Sequence, residues 1–210
     1  MAAGRFITLE GGEGAGKSTQ ARRLAAALAR AGQAVLLTRE PGGTAGAERL
    51  RAVLLEPGPG FVPLAETMLH FAARAEHVAR VIRPALAAGM WVICDRFTDS
   101  TRAYQGGGQG VEAAVLEALA GLIGLEPELT LLLEASPAVA AERLAKRAGM
   151  DRYEALDGDF HARVAAAFRA LAEAAPGRIR RVDADGPEDA VAARIADVLA
   201  ARFAGAFTPG

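Results

Sequence analysis

The residues best equipped for chemistry lie within the first twenty. Gly11-Gly12-Glu13-Gly14-Ala15-Gly16-Lys17-Ser18 satisfies the spacing G-x-x-x-x-G-K-[ST], a pattern built for polyphosphate. Glycines let backbone N–H groups converge on phosphate oxygens, and the positive end of a following helix adds to the field. A lysine reaches the β and γ phosphates, and a serine hydroxyl ligates Mg²⁺. This assigns Gly11, Gly12, Glu13, Gly14, Ala15, Gly16, Lys17, Ser18 and Thr19 to a nucleoside triphosphate, with Ser18 as a metal ligand. Glu13 is the odd member, because a carboxylate inside an anion-binding loop needs a metal, a sugar hydroxyl or an arginine beside it. The loop itself carries no arginine, so charge on a transferred phosphoryl group must be met by a cation from another segment.

Such a loop works only between a strand and a helix, and both are readable. Phe6 to Glu10 is a short apolar strand, and Ser18 to Ala31 has helical periodicity closed by Gly32. Further strands are predicted at Ala34–Thr38, Trp91–Cys94, Leu129–Leu133 and Arg178–Val182. Helices are predicted at Gly46–Leu55, Pro63 to about Ala88 with a bend near Pro84, Val111–Ile123, Pro137–Arg147, Phe160–Ala174 and Pro187–Phe203. Asp95 to Gln105 reads as a polar segment running into Gly106-Gly107-Gly108, and about 148–157 as a surface loop. Strands alternating with helices predict an α/β fold with a parallel sheet covered on both faces. A single domain over 1–210 is expected, with a fraying tail at about 205–210.

Composition narrows the function classes. The 210 residues are 51% hydrophobic and 23% charged, and 24 basic side chains against 25 acidic leave a formal charge of −1. No global field therefore draws the chain to nucleic acid or to an anionic bilayer. Every long apolar stretch is interrupted by a charge, which argues against a membrane span. The lone Cys94 excludes an intrachain disulfide and a multi-thiolate zinc site, and no secretory cleavage pattern is present, so a cytoplasmic setting is expected. Asparagine is absent, which removes the N-K-x-D guanine-reading element of GTPases. The third strand ends in Cys94-Asp95-Arg96 rather than in paired acids, so a small-molecule kinase fits better than a motor-type ATPase.

At this point the chain resembles bacterial thymidylate kinases. The resemblance rests on Glu10 to Ser18, Thr38-Arg39-Glu40-Pro41-Gly42-Gly43-Thr44, Phe71-Ala72-Ala73-Arg74, Asp95-Arg96-Phe97 with Ser100-Thr101, and Ala103 to Gly108, in order and spacing. It implies a P-loop NTPase fold with a five-stranded parallel sheet and a short lid, a homodimer, and transfer of the ATP γ-phosphoryl to dTMP with Mg²⁺. Carried over by position, it makes Arg96 a clamp on the acceptor phosphate, Arg51 a second phosphate arginine and Glu40 a residue near the acceptor. Asp95, at the carboxyl end of a strand where open α/β sheets bind ligands, would organise Mg²⁺ or else sit in a buried ion pair. Phe71 and Arg74 would stack on the thymine and donate to its carbonyl. By residue type alone, Phe71 reads equally as core and Arg74 as an exposed helix charge. Thr101, Tyr104 and Gln105 would meet the base edge and sugar, with Tyr104 excluding ribonucleotides or merely anchoring a loop. The resemblance makes Arg147 and Arg152 the candidate catalytic cations of the lid and puts Arg143 on the adenine face.

Two rivals share these motifs. A related kinase for another acceptor would lack the Phe71/Arg74 pair facing it, and a nucleotide-sensing module would bind ATP without consuming it. His70, His77 and His161 form no ligand set, and surface positions are expected for them. Cys94 is expected to be a buried small hydrophobe.

Overall fold

The structure, a computed structural model, describes residues 4–56, 60–146, 152–153 and 156–204. Five strands, β1 (Arg5–Glu10), β2 (Val35–Arg39), β3 (Trp91–Asp95), β4 (Leu129–Glu134) and β5 (Ile179–Asp183), form one parallel sheet in the order β2-β3-β1-β4-β5. Leu9 lies opposite Asp95 on one side of β1 and opposite Leu131 on the other. The loops leaving β1 and β3 therefore emerge side by side at the carboxyl edge. That register is what brings the glycine loop to Asp95 and Arg96.

Strand alternation sorts side chains onto two faces. Ile7, Leu9, Trp91, Ile93, Leu129, Leu131 and Leu133 pack with α1 (Lys17–Arg30) and α9 (Glu188–Arg202). Phe6, Val92 and Cys94 point the other way, into a core with Phe71 and Phe97. Both faces being covered explains why the strands read as near-continuous apolar runs. Thr8 and Thr130 share a 2.9 Å hydrogen bond, and Thr130 is also 3.3 Å from a carboxylate oxygen of Asp99, which pairs with Arg178.

The remaining helices are α2 (Ala45–Leu55), α3 (Pro63–His77), α4 (Arg83–Ala87), α5 (Thr98–Thr101), α6 (Ala113–Ile123), α7 (Pro137–Ala145) and α8 (Gly158–Ala174). The long helix expected from Pro63 is interrupted by a π-helical turn, Val78–Ile82. Pro84 lacks an N–H and its ring crowds the carbonyl four residues back, so the ladder widens just before it. The polar segment after β3 is largely helical. α5 runs into a π-helical turn, Arg102–Gly108, that includes all three glycines. Added Cβ atoms on Gly107 and Gly108 would lie 2.4 Å from Ala167 Cβ and 2.4 Å from Phe160 Cε2. These glycines admit α8 rather than make a loop. Arg147 and the tail 205–210 lie outside the described residues, and of the expected lid only Arg152, Tyr153, Leu156 and Asp157 lie within them.

Candidate active site

One cleft of about 620 Å³ opens at the carboxyl edge of the sheet, lined at one end by Glu13 to Gln20 and at the other by Arg51, His70, Arg74, Thr101, Gln105 and Tyr153. Its size suits small-molecule ligands. The glycine loop is shaped by backbone that only glycine tolerates. Gly11 has φ +139° and Gly14 φ +71°, and Cβ atoms there would stand 2.3 Å from Leu133 O and 2.5 Å from Ala140 O. Helix α1 then starts at Lys17, whose ammonium donates to Gly12 O at 2.6 Å inside the cradle. Burial, and next the charge of Arg96, lowers the Lys17 pKa, partly offset by Glu13, Asp95 and Glu10.

The Ser18 hydroxyl donates to Asp95 Oδ2. The other oxygen, Asp95 Oδ1, is buried without a hydrogen-bond partner among the described residues. A hydroxyl, a carboxylate and a spare carboxylate oxygen beside a phosphate cradle are hard oxygen donors that suit Mg²⁺. Among the described residues no group of three or more His, Cys, Asp or Glu is placed to hold a metal ion by itself. A cation here would thus depend on nucleotide and water oxygens as well.

Arg96 has φ +69°, uncommon for a residue with a side chain. Its N–H is held by Leu9 O at 3.0 Å. Glu10, at the end of β1, fixes the following turn by accepting from Phe97 N–H at 2.8 Å and Ser100 Oγ at 2.5 Å. So aimed, the guanidinium reaches Glu13 Oε1 (2.5 Å), Gly11 O (3.2 Å) and Ser100 Oγ (3.1 Å). The Tyr104 hydroxyl donates to the same Glu13 oxygen at 2.7 Å. Burial alone would raise the Glu13 pKa, but Arg96, Lys17 and the Tyr104 hydroxyl outweigh it and bring it to about 2. The carboxylate that looked repulsive in the loop is thereby ionised and neutralised.

At the far end a second buried network aims Arg74. Glu40 accepts from Arg74 Nε at 2.7 Å and faces His77 Nδ1 at 3.0 Å, while His77 Nε2 meets Thr38 Oγ1 at 2.7 Å. Arg74 Nη2 donates to Thr101 Oγ1 at 3.1 Å, and Nη1 is buried with no partner among the described residues. Arg51 donates to Pro41 O at 2.9 Å on the cleft wall.

Two expectations are corrected here. Phe71 is 4% exposed, belongs to the stripe Phe71, Val78 and Ile82 packed against the sheet, and does not line the cleft. His70 lines it instead, one turn before Arg74 on the same helix face. Nor do the first two histidines stand on the outer surface, since His70 is half-buried in the cleft wall. His77 is fully buried. Burial, followed by repulsion from Arg74, pushes the His70 pKa from 6.5 down to about 3 despite Glu66, with Arg96 and Arg152 adding to the fall. Folded His70 stays neutral where an unfolded one charges, so its contribution to stability is complete above about pH 6.5 and declines as pH falls toward about 3. A neutral His70→Gln variant is expected to flatten acid destabilisation between pH 6.5 and 4.5, by up to about 1.4 kcal/mol per pH unit. Urea unfolding at stepped pH measures it, and parallel pH dependences would contradict it.

The basic residues near the expected lid divide. Arg143 contacts Gly14 O at 3.4 Å, Ala184 O at 2.9 Å and Gly186 O at 3.1 Å, which ties the loop to the segment after β5 at the glycine-loop end of the cleft. Arg152 instead bonds Glu66 and Leu54 O and does not line the cleft. Its guanidinium is paired with a buried carboxylate here, whereas the resemblance expects it to swing over the phosphates on closure.

The chain's similarities agree with this geometry. The family model described as Thymidylate kinase matches residues 9–195. A protein named thymidylate kinase from Rhizorhabdus wittichii is 52% identical over 202 residues, which is 94% of this chain and 97% of that one. Another from Caulobacter vibrioides is 47% identical, covering 97% and 99%. A crystal structure of thymidylate kinase from Ehrlichia chaffeensis superposes with a TM-score of 0.78 at 31% identity, over 94% of this chain and 99% of that one. Since the match runs from β1 into α9 and spans every element that walls the cleft, the chain belongs to the thymidylate kinase family.

Proposed function

We propose that this chain, as one domain, transfers the γ-phosphoryl group of ATP to dTMP, giving dTDP and ADP, by in-line displacement. The observation that carries the reading is one cleft with a glycine cradle at one end and, at the other, Arg74 Nη1 buried with no partner among the described residues. A fixed donor favours the ring carbonyl of thymine and disfavours a cytosine amino group at the same place. Arg96 and Arg51 hold the acceptor phosphate, and Glu13 with Tyr104 faces the sugar. Lys17 and the amides of Gly14 to Thr19 hold the donor phosphates, so positioning and electrostatics supply most of the rate. Ser18 and Asp95 would hold Mg²⁺, which when bound supplies neutralising charge to the β and γ oxygens. Arg143 borders the adenine end, and we assign the remaining cation to Arg147.

A homodimer is supported by exposed large apolar side chains on α2 and around the start of α3, Val53, Phe61, Val62, Leu64 and Met68. A cytoplasmic setting is supported by the lone buried thiol. Among the described residues no helix is long and apolar enough to cross a membrane.

One coupled assay with ATP, Mg²⁺ and a panel of monophosphates tests the activity. dTMP is expected to be the preferred acceptor, and ATP binding with no turnover on any acceptor would contradict the proposal. In the same panel, Tyr104→Ala is expected to raise kcat/KM for UMP relative to dUMP by about tenfold. Its ring packs against Tyr153, Phe160 and Phe168, so the variant also loses about 3–5 kcal/mol of stability and is assayed well below its melting point. An unchanged ratio would remove Tyr104 from the sugar pocket.

A further inference from the structure

Glu66, on α3, is fully buried and is not used by the chemistry above. It accepts hydrogen bonds from Arg152 Nη2, Tyr153 Oη (2.9 Å), Gln105 Nε2 (3.0 Å) and Gln109 Nε2 (2.7 Å). Those donors nearly fill a carboxylate's capacity. Burial would raise the Glu66 pKa, yet Arg152, Tyr153 and the two glutamines outweigh it and hold it below the usual value. Gly60 packs close to the Arg152 guanidinium, where a Cβ would stand 2.8 Å from Nη2. Both partners of Glu66 from beyond α7 are adjacent in sequence, although they sit 86 and 87 residues from it.

Tyr153 is thereby set into the acceptor end of the cleft. It lines that cleft and meets Tyr104 edge-on at 5.7 Å. Its single proton goes to Glu66, so His70 Nε2, 2.9 Å away, must be the donor to the tyrosine oxygen, as must Gln105 Nε2 at 3.4 Å. Neutral His70 is therefore protonated on Nε2. Arg143, on α7, sits at the other end against Gly14. Arg143 and Tyr153 thus stand at opposite ends of the cleft.

We propose that Glu66 is a positioning residue that docks the Arg152-Tyr153 step as a wall of the monophosphate pocket, with Arg152 acting as the staple and not as the cation on the transferred phosphoryl group. The inference rests on reading this end of the cleft as the acceptor site. It assigns to Tyr153 and His70 the closure of the pocket around the acceptor's ring or sugar, and it separates Arg152 from phosphoryl transfer.

The test combines calorimetric titration with dTMP and steady-state kinetics on Glu66→Gln, Arg152→Met, Tyr153→Phe and the Glu66→Gln/Arg152→Met double variant. Expected are about tenfold increases in dTMP Kd and KM for the Glu66 and Arg152 variants and about threefold for Tyr153→Phe, with kcat and the KM for ATP within about twofold of the unmodified chain. The double variant should be no worse than the single ones, because one linkage is lost in each. An Arg152→Met variant that binds dTMP normally but loses about 10³-fold in kcat would overturn the proposal, as would unchanged dTMP affinity in all variants. If Glu66→Gln fails to fold, Tyr153→Phe, which removes one oxygen atom, decides by its dTMP affinity. Failure of the acceptor reading itself looks different. The unmodified chain would then neither bind nor phosphorylate dTMP, and both proposals would fall.

Discussion

Lys17→Ala is expected to reduce kcat by about 10³-fold or more while leaving the melting temperature close to that of the unmodified chain. The ammonium is the cradle's own full positive charge and is already inside it, 2.6 Å from Gly12 O. It has no role in the apolar cores, so its removal deletes phosphate stabilisation without opening a packed cavity. The loss should appear mainly in kcat, because charge on the transferred group peaks in the transition state. Near-normal turnover by a folded Lys17→Ala chain would refute the assignment of the cradle.

Arg96→Lys should be nearly as severe, lowering kcat/KM for dTMP by about 10²- to 10³-fold. A lysine keeps the charge but cannot reproduce the planar fork that here reaches Glu13, Gly11 O and Ser100 together. It would also leave Glu13 with a weaker partner next to the phosphates, adding repulsion to the lost clamp. The effect should fall on the acceptor, with the KM for ATP moving much less. A lysine variant that keeps the unmodified chain's kcat/KM would show that charge alone suffices and that the planar fork of Arg96 has no catalytic consequence.

What could be read from the sequence was local. The glycine loop depends on consecutive residues, and the strands on short apolar runs, so both appear where expected. Tertiary packing decided the rest. Gly106 to Gly108 carry no helical signal in the sequence because glycine disfavours helix, yet two of them let α8 approach a helical turn. The choice of Phe71 over His70 was an error of one position on one helix. Residues 70 and 74 face the cleft, while 71, 78 and 82 face the sheet, and it is the family resemblance, not residue type, that points to the phenylalanine. Glu40 and His77, which aim Arg74, are 37 residues apart and show no joint pattern. Arg152 looked like a free lid cation because Glu66, its partner, is 86 residues away.

The most direct measurement is a crystal structure with a single ligand in which adenosine and deoxythymidine are joined through a polyphosphate chain. The phosphates of its adenosine half should lie on the amides of Gly14 to Thr19. The thymine should take Arg74 Nη1 on a ring carbonyl beside His70 and Tyr153, with Arg96 on the phosphate nearest the deoxyribose. Density for the thymidine half outside the Arg74–Thr101–Gln105 end of the cleft, or an empty cradle at Gly14 to Thr19, would contradict the account.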